Sequence, residues 1–368
     1  MVKLLNLSRT AFFEKMNRKQ IVFWGAGKRA RYISSMYNIQ GKVIWCVDNN
    51  PEVQGSSIQL NGYETPIIGV NDFVNEIKDD VENYLVIITV VYGALDVIRQ
   101  LDANDSLTGL ECVIGRMLDD YYEPISFSFP KLELSIPKKI HYCWFGGGDI
   151  PEGYARCIDT WKEKCPDYQI IRWDESNYDV TKNQYMRQAY EAGKMGFVPD
   201  YARLDIVYNE GGIYLDCDLE LLNGLDCMLH TGMFCGFTCY GMLNLGLGFG
   251  AVKGHRIIKE LMDEYNDARF VREDGTLDLT ACTWYENPVF ERNGFSMNNT
   301  FQTIGDITLY PSEVLAPDGA SGWANNYTKR TILRNNAMLS WISDSDRHSY
   351  QKMQLEIKDR LKKDGIVL

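Results

Sequence analysis

VPDYARLDIVYNEGGIYLDCD, residues 198–218, changes its periodicity halfway along. From Asp200 to Glu210 the apolar residues Tyr201, Leu204, Val207 and Tyr208 recur at helical spacing, which predicts a helix. Gly211 and Gly212 end it, and Ile213 to Asp218 resumes as a predicted strand that finishes in two carboxylates. Helix, glycine turn and apolar strand in that order make one step of an α/β protein. Asp200 and Arg203 lie three apart, so they are neighbours on the helix near its N-terminus, where the plain reading is a surface ion pair that also caps it. Asp216 and Asp218 at i and i+2 point the same way from a strand, and like charges this close repel unless a cation sits between them. Hard divalent ions, Mn²⁺ or Mg²⁺, take such oxygen ligands together with substrate phosphates. An Asp-x-Asp by itself more often marks a loop.

Upstream, Ile140 to Phe145 is a predicted strand running into Gly146, Gly147 and Gly148, with Tyr142 and Trp144 on one face. An aromatic at that strand end either stacks on a nucleobase or belongs to the core. Between Glu123 and Lys138 the prolines 124, 130 and 137 interrupt an alternating stretch, which reads as an extended connector. The domains are therefore expected at 1–123, with a linker at 124–137, and at 138–368.

The first domain reads as a Rossmann-like parallel sheet. Ile21 to Trp24 is a strand leading into Gly25-Ala26-Gly27 and a helical stretch through Tyr37; Lys42 to Val47, Tyr84 to Val90 and Glu111 to Ile114 are further strands. Gly25-x-Gly27-x-x-Ala30, with Asp48 about 20 residues on, matches a dinucleotide fingerprint. The same glycines equally serve a tight strand-to-helix turn, and both readings stand.

With 38 Lys and Arg against 50 Asp and Glu, the 368-residue chain carries a net charge of −12, which argues against a nucleic-acid binder and favours a small molecule or glycan. A 45% hydrophobic content is enough for sizeable cores. No run approaches the ~18 apolar residues of a membrane span, and the charged N-terminus lacks a signal-peptide pattern, so a cytoplasmic protein is expected. Residues 1–31 hold Lys3, Arg9, Lys15, Arg18, Lys19, Lys28, Arg29 and Arg31 against Glu14, either a solvated face or a weak peripheral contact with the inner face of a membrane. Ten cysteines without a Cys-x-x-Cys pair and four histidines without ligand spacing argue against a structural metal.

The 198–218 stretch resembles the Asp-x-Asp region of the family 32 glycosyltransferases, among them initiating α-mannosyltransferases and bacterial capsular polysaccharide enzymes. Ile136 to Gly147 resembles that family's opening strand, Thr160 to Glu175 its next unit, and Arg334-Asn335-Asn336 through Ser340-Trp341 its closing one. The resemblance covers residues 136 to about 342 and implies a GT-A fold. It implies that Trp144 stacks on the base and that Asp200 and Arg203 hold ribose, phosphate or sugar. It implies further that Tyr214 lines the nucleotide pocket, Asp218 ligates the metal, Asp216 binds ribose or metal-bound water, and Ser340 and Trp341 close over the diphosphate. Asn335 and Asn336 stand where the family commonly has a His pair. An Asn carbonyl is still a hard-ion ligand, so Asn336 joins Asp216 and Asp218 as an expected metal ligand. Pro199 replaces a customary Ser, and Pro suits a helix start. Asp48 to Gly55 resembles nucleotide-binding-like modules attached to bacterial sugar-modifying enzymes.

The expected activity is retaining transfer of a hexose from a UDP- or GDP-sugar, with Mn²⁺ or Mg²⁺, to a glycan or lipid-linked glycan hydroxyl, with Asp216, Asp218 and Arg203 at its centre. Three rivals are a decayed nucleotide-sugar binding protein, a glycoside hydrolase working through two carboxylates, and an NAD-dependent oxidoreductase using the Gly25 loop.

Overall fold

The computed structural model describes residues 1–7, 9–39, 41–90, 93–118, 126–133, 135–239, 241–318, 326–336 and 344–365. The chain divides into two compact units, Met1–Glu123 with Gly319–Asn326 and Asp344–Leu368, and Pro124–Asp318 with Tyr327–Ser343. Both are α/β.

The first unit is built on β1 (Lys3–Leu4), β2 (Gln20–Trp24), β3 (Val43–Val47), β4 (Ser57–Leu60), β5 (Tyr63–Ile68), β6 (Tyr84–Ile88) and β7 (Glu111–Ile114). Their order is β1-β7-β6-β2-β3-β5-β4, every pair parallel except the edge hairpin β4/β5. The unbroken apolar runs follow from burial on two faces: Val22, Trp24, Val86 and Ile88 enter one core and Ile21, Phe23, Leu85 and Ile87 the other. This is the Rossmann-like sheet expected, with β1 and the β4/β5 hairpin added. The C-terminal helix Asp344–Lys363, expected with the second domain, groups with this unit. Its Met353, Ile357 and Leu361, spaced by four, join the core that holds Val97, Ile98 and Leu101. Arg360 pairs with Asp102 and donates to the Val2 carbonyl at 3.0 Å.

The second unit contains β8 (Lys139–Cys143), β9 (Gln169–Trp173), β10 (Gly212–Tyr214), β11 (Leu219–Leu221), β12 (Met233–Gly236), β13 (Phe249–Ala251), β14 (Gln302–Ile304), β15 (Ile307–Tyr310) and β16 (Leu333–Asn335). Seven of these form a sheet in the order β14-β15-β12-β13-β10-β8-β9, with β13 antiparallel to both neighbours, and β11 pairs antiparallel with β16. The helix Pro199–Glu210 runs into β10 as the periodicity predicts, but its burial is nearly all-round: Asp200 and every residue from Ala202 to Val207 are buried. An acid on such a helix needs a partner. Asp205 finds one in Tyr178 Oη and Lys182 Nζ, each 2.8 Å from its Oδ2.

The double glycine is dictated by geometry. Gly211 and Gly212 have φ of +64° and +111°, and a Cβ on Gly212 would lie 2.9 Å from both His141 Nε2 and the Lys139 carbonyl oxygen. His141 is wholly buried on β8; its Nε2 pairs with the Gly211 carbonyl at 2.8 Å, and its Nδ1 accepts from Trp173 Nε1 at 3.1 Å. Burial pushes its pKa below the usual imidazole range, so the ring is neutral and donates from Nε2. Gly212→Ala is expected to cost about 3 kcal/mol in urea unfolding, from φ strain plus overpacking. Gly254→Ala, with φ of +73° and open space around it, should cost only about 1 kcal/mol.

Candidate active site

One sequence expectation changes at the end of β10. The strand stops at Tyr214, and Asp216 and Asp218 lie in the turn that leads to β11, closed by Leu219 N–H donating to the Asp216 carbonyl at 3.1 Å. Strand alternation therefore does not set their directions. The turn does, and it keeps them close enough for Asp218 to bear on the titration of Asp216.

Asp200 and Arg203 also differ from the surface pair expected. Their side chains are 8% and 3% exposed, and Arg203 Nη2 donates to Asp200 Oδ1 at 2.7 Å. The same Nη2 donates to Glu286 Oε1 at 3.1 Å, from the helix Thr283–Arg292, whose carboxylate is 1% exposed. Arg203 Nη1 lies 4.0 Å from Asp216 Oδ2. Three carboxylates, Asp200, Glu286 and Asp216, thus gather near a single guanidinium, and Asp218 bears on Asp216 beside them, leaving an excess of negative charge.

The titrations follow from that imbalance. Burial raises the Asp200 carboxyl to about 7, against the pull of Arg203 and with the push of Glu286. Asp216 is likewise raised to about 7, first by burial, opposed by Arg203 and reinforced by Asp218; its side chain keeps 37% of its surface open, so water tempers the effect. Glu286 is raised by burial, with Arg203 opposing. Despite the cost of its own burial, Arg203 is held charged well above its ordinary range by the acids around it, Asp200, Glu286 and Asp216.

The other expected residues arrive from several elements. Trp144, half-buried, stands one residue past β8; it meets Tyr154 edge-on with centroids 5.3 Å apart, and its Nε1 donates to the Gly148 carbonyl at 2.8 Å. It packs on the same core as Tyr142, as alternation predicts. Tyr214 is 1% exposed, and its ring lies 6.1 Å from that of Phe249. Pairing of β11 with β16 brings Asn336 to Asp218: its N–H donates to the Asp218 carbonyl at 3.1 Å, and its Nδ2 donates to Cys157 Sγ at 3.3 Å. Ser340 and Trp341 lie outside the described residues. Among those described, no three His, Cys, Asp or Glu side chains gather as a metal cage. The donors present are the oxygens of Asp216, Asp218 and Asn336. That set fits a hard divalent cation that completes its shell with phosphate and water.

Residues 151–234, which include Asp200, Arg203, Asp216 and Asp218, match the family described as "Glycosyltransferase sugar-binding region containing DXD motif". The matched stretch is similar to the sugar-binding region of family 32-like glycosyltransferases. The chain is similar to inositol phosphoceramide mannosyltransferase 3 of Schizosaccharomyces pombe, 30% identical over 154 residues, 39% of this chain and 41% of that protein. It is also similar to an uncharacterized glycosyltransferase, L373, of Acanthamoeba polyphaga mimivirus, 26% identical over 192 residues, 50% of this chain and 73% of the other. Among solved structures the PaToxG glycosyltransferase aligns with a TM-score of 0.35 and 19% identity over 44% of this chain and 70% of that one. The chain spans about two fifths of the length of the yeast relative. The unit that holds this stretch is α/β, built on a seven-stranded mixed sheet.

Glu286 was not a sequence candidate, since Thr280 to Pro288 carries no motif. One signal was available: Glu286 shares a helical face with Cys282, Val289 and Phe290, an acid on an otherwise apolar stripe. In the first unit, Asp48 spends its carboxylate on the chain itself, accepting from Ala26 N–H and Asn50 N–H at 2.9 Å each. Gly25, with φ of +110° and a Cβ position 2.7 Å from Thr89 Oγ1, serves the tight turn.

Proposed function

We propose that this chain is a metal-dependent, retaining hexosyltransferase that moves a sugar from a nucleoside diphosphate sugar to a hydroxyl of a glycan or lipid-linked glycan in bacterial surface polysaccharide synthesis. The observation that carries this reading is the buried Arg203, clamped on one nitrogen by Asp200 and Glu286 and facing Asp216 with the other. A guanidinium fixed in this way is preorganised for the charge that develops on a departing diphosphate, and it needs no reorganisation when the bond breaks. Asp218, Asp216 and Asn336 would hold Mn²⁺ or Mg²⁺, which supplies further stabilisation of that leaving group. Trp144, at the strand end with an open flank, offers a face for the base. Retention and the polysaccharide acceptor are what the family resemblance implies. The basic residues of 1–31 and an acceptor made at a membrane suit a cytoplasmic enzyme working at the inner face; no helix among the described residues is long and apolar enough to cross a membrane.

Thermal unfolding with UDP-glucose, UDP-N-acetylglucosamine and GDP-mannose, each with and without Mn²⁺, tests the proposal. A midpoint increase that requires both nucleotide sugar and metal is expected, worth about 2.7 kcal/mol at a hundred times Kd. Stabilisation by a donor without metal and without turnover would point instead to a binding protein. Metal-free cleavage of a simple glycoside would point to a hydrolase.

A further inference from the structure

Glu286 uses its two oxygens on two different structures. Oε1 accepts from Arg203 Nη2 at 3.1 Å, and Oε2 accepts from the Leu245 backbone N–H at 3.1 Å. The next residue doubles the grip: Asn287 Oδ1 accepts from Leu243 N–H, and its Nδ2 donates to the Leu243 carbonyl, both at 2.9 Å. Two consecutive helix side chains therefore fasten the backbone of residues 243–245. Gly246 follows, its N–H held by Asn244 Oδ1 at 2.8 Å. A Cβ on Gly246 would lie 2.7 Å from Asp216 Oδ2 and 3.4 Å from Arg203 Nη1. The turn closes directly over the two charged groups.

We propose that Glu286 is the positioning residue of this centre, joining the Arg203 guanidinium to the Leu243–Gly246 turn so that Nη1 and the Asp216 carboxylate are held in register for the donor. This inference rests on the transferase reading above. The residue must be a carboxylate. A Gln of the same shape offers one acceptor and one donor group, so whichever way its amide lies, either Arg203 or Leu245 N–H meets an N–H instead of an oxygen. Asp would be one methylene short of spanning both. With Nη2 already filled by Asp200 and Glu286, Arg203 cannot swivel while Glu286 holds; Nε is buried without a hydrogen-bond partner among the described residues, and Nη1, which faces Asp216, is the nitrogen offered to substrate.

The test is Glu286→Gln, read in three ways. Hydrogen exchange of the ligand-free protein should show the Leu243–Leu247 amides losing protection about tenfold, while the sheet amides keep theirs. Calorimetric affinity for UDP or GDP with Mn²⁺ should stay within about threefold. The kcat for transfer should fall about a hundredfold, the scale of an ångström-sized misplacement. Gly246→Ala provides a second route that does not depend on how Glu286→Gln folds: it crowds Asp216 and Arg203 without touching Glu286 and should reproduce the loss of kcat. Unchanged turn exchange and kcat in a folded Glu286→Gln protein, or wild-type rates in Gly246→Ala, would overturn the assignment. A wild-type protein that neither binds these diphosphates nor turns over a donor would instead defeat the transferase reading itself, leaving the exchange result to report on the clamp.

Discussion

Arg203→Met is expected to lower stability by about 3–5 kcal/mol and to leave no measurable transfer. The guanidinium is 3% exposed, and its loss strands Asp200 and Glu286, both almost fully buried, without a counter-charge. Removing one partner of a buried ion pair is costly because the remaining charge keeps its desolvation penalty. Methionine fills most of the volume, so packing contributes little to the deficit. The pH dependence has a definite sign. Without Arg203, the Asp200 and Glu286 carboxyls rise still further above their unfolded values, from the already raised positions that burial gives them. A carboxyl raised in the folded state binds its proton more tightly there, so stability is greatest below the unfolded pKa and declines as pH rises toward the folded one. The deficit relative to wild type is thus larger at about pH 8 than at about pH 5.5. Urea titrations at both values measure it; a variant as stable as wild type at the higher pH would mean that the cluster is not ion-paired in solution.

The parts of this centre that the sequence disclosed are those encoded at short range. Asp200 and Arg203 are one helical turn apart, the double glycine marks where that helix must stop, and Asp216 and Asp218 sit two residues apart just beyond β10. For the helical pair the spacing survives translation into geometry because the helix period is fixed, whereas the turn after β10 sets the directions of Asp216 and Asp218. Even here the burial of the Asp200 and Arg203 pair was not legible, since a helix enclosed on nearly every side has no polar face to betray it. Glu286 reaches Arg203 across 83 residues and Asn336 reaches Cys157 across 179. Such contacts depend on the packing of one helix and on the register of β11 with β16, neither of which any local pattern specifies. The return of the C-terminal helix to the first unit is the same kind of fact: apolar residues spaced by four do not name the core they cover.

Asp218→Ala should do the opposite of Arg203→Met, removing activity while sparing the fold. Asp218 is half-buried in the turn after β10, and its charge pushes the neighbouring Asp216 carboxyl upward along with burial. Taking it away relieves a like-charge contact, so unfolding free energy should change by no more than about 1 kcal/mol. Transfer depends on the acid differently. In the proposed reaction Asp216 would be shared between the cation and Arg203, and Asn336 would be a neutral ligand whose amide is also engaged with Cys157, so Asp218 would be the strongest donor in the set. Its loss should cost about a thousandfold in kcat, comparable to the removal of a principal electrostatic stabiliser of a leaving group. The thermal shift produced by UDP or GDP should lose its dependence on Mn²⁺ in the same variant. Asp218→Asn, which keeps an oxygen but not the charge, should fall between the two and recover partly at higher Mn²⁺. Wild-type turnover by Asp218→Ala would remove the cation from the mechanism and leave Arg203 as the stabiliser of the leaving diphosphate.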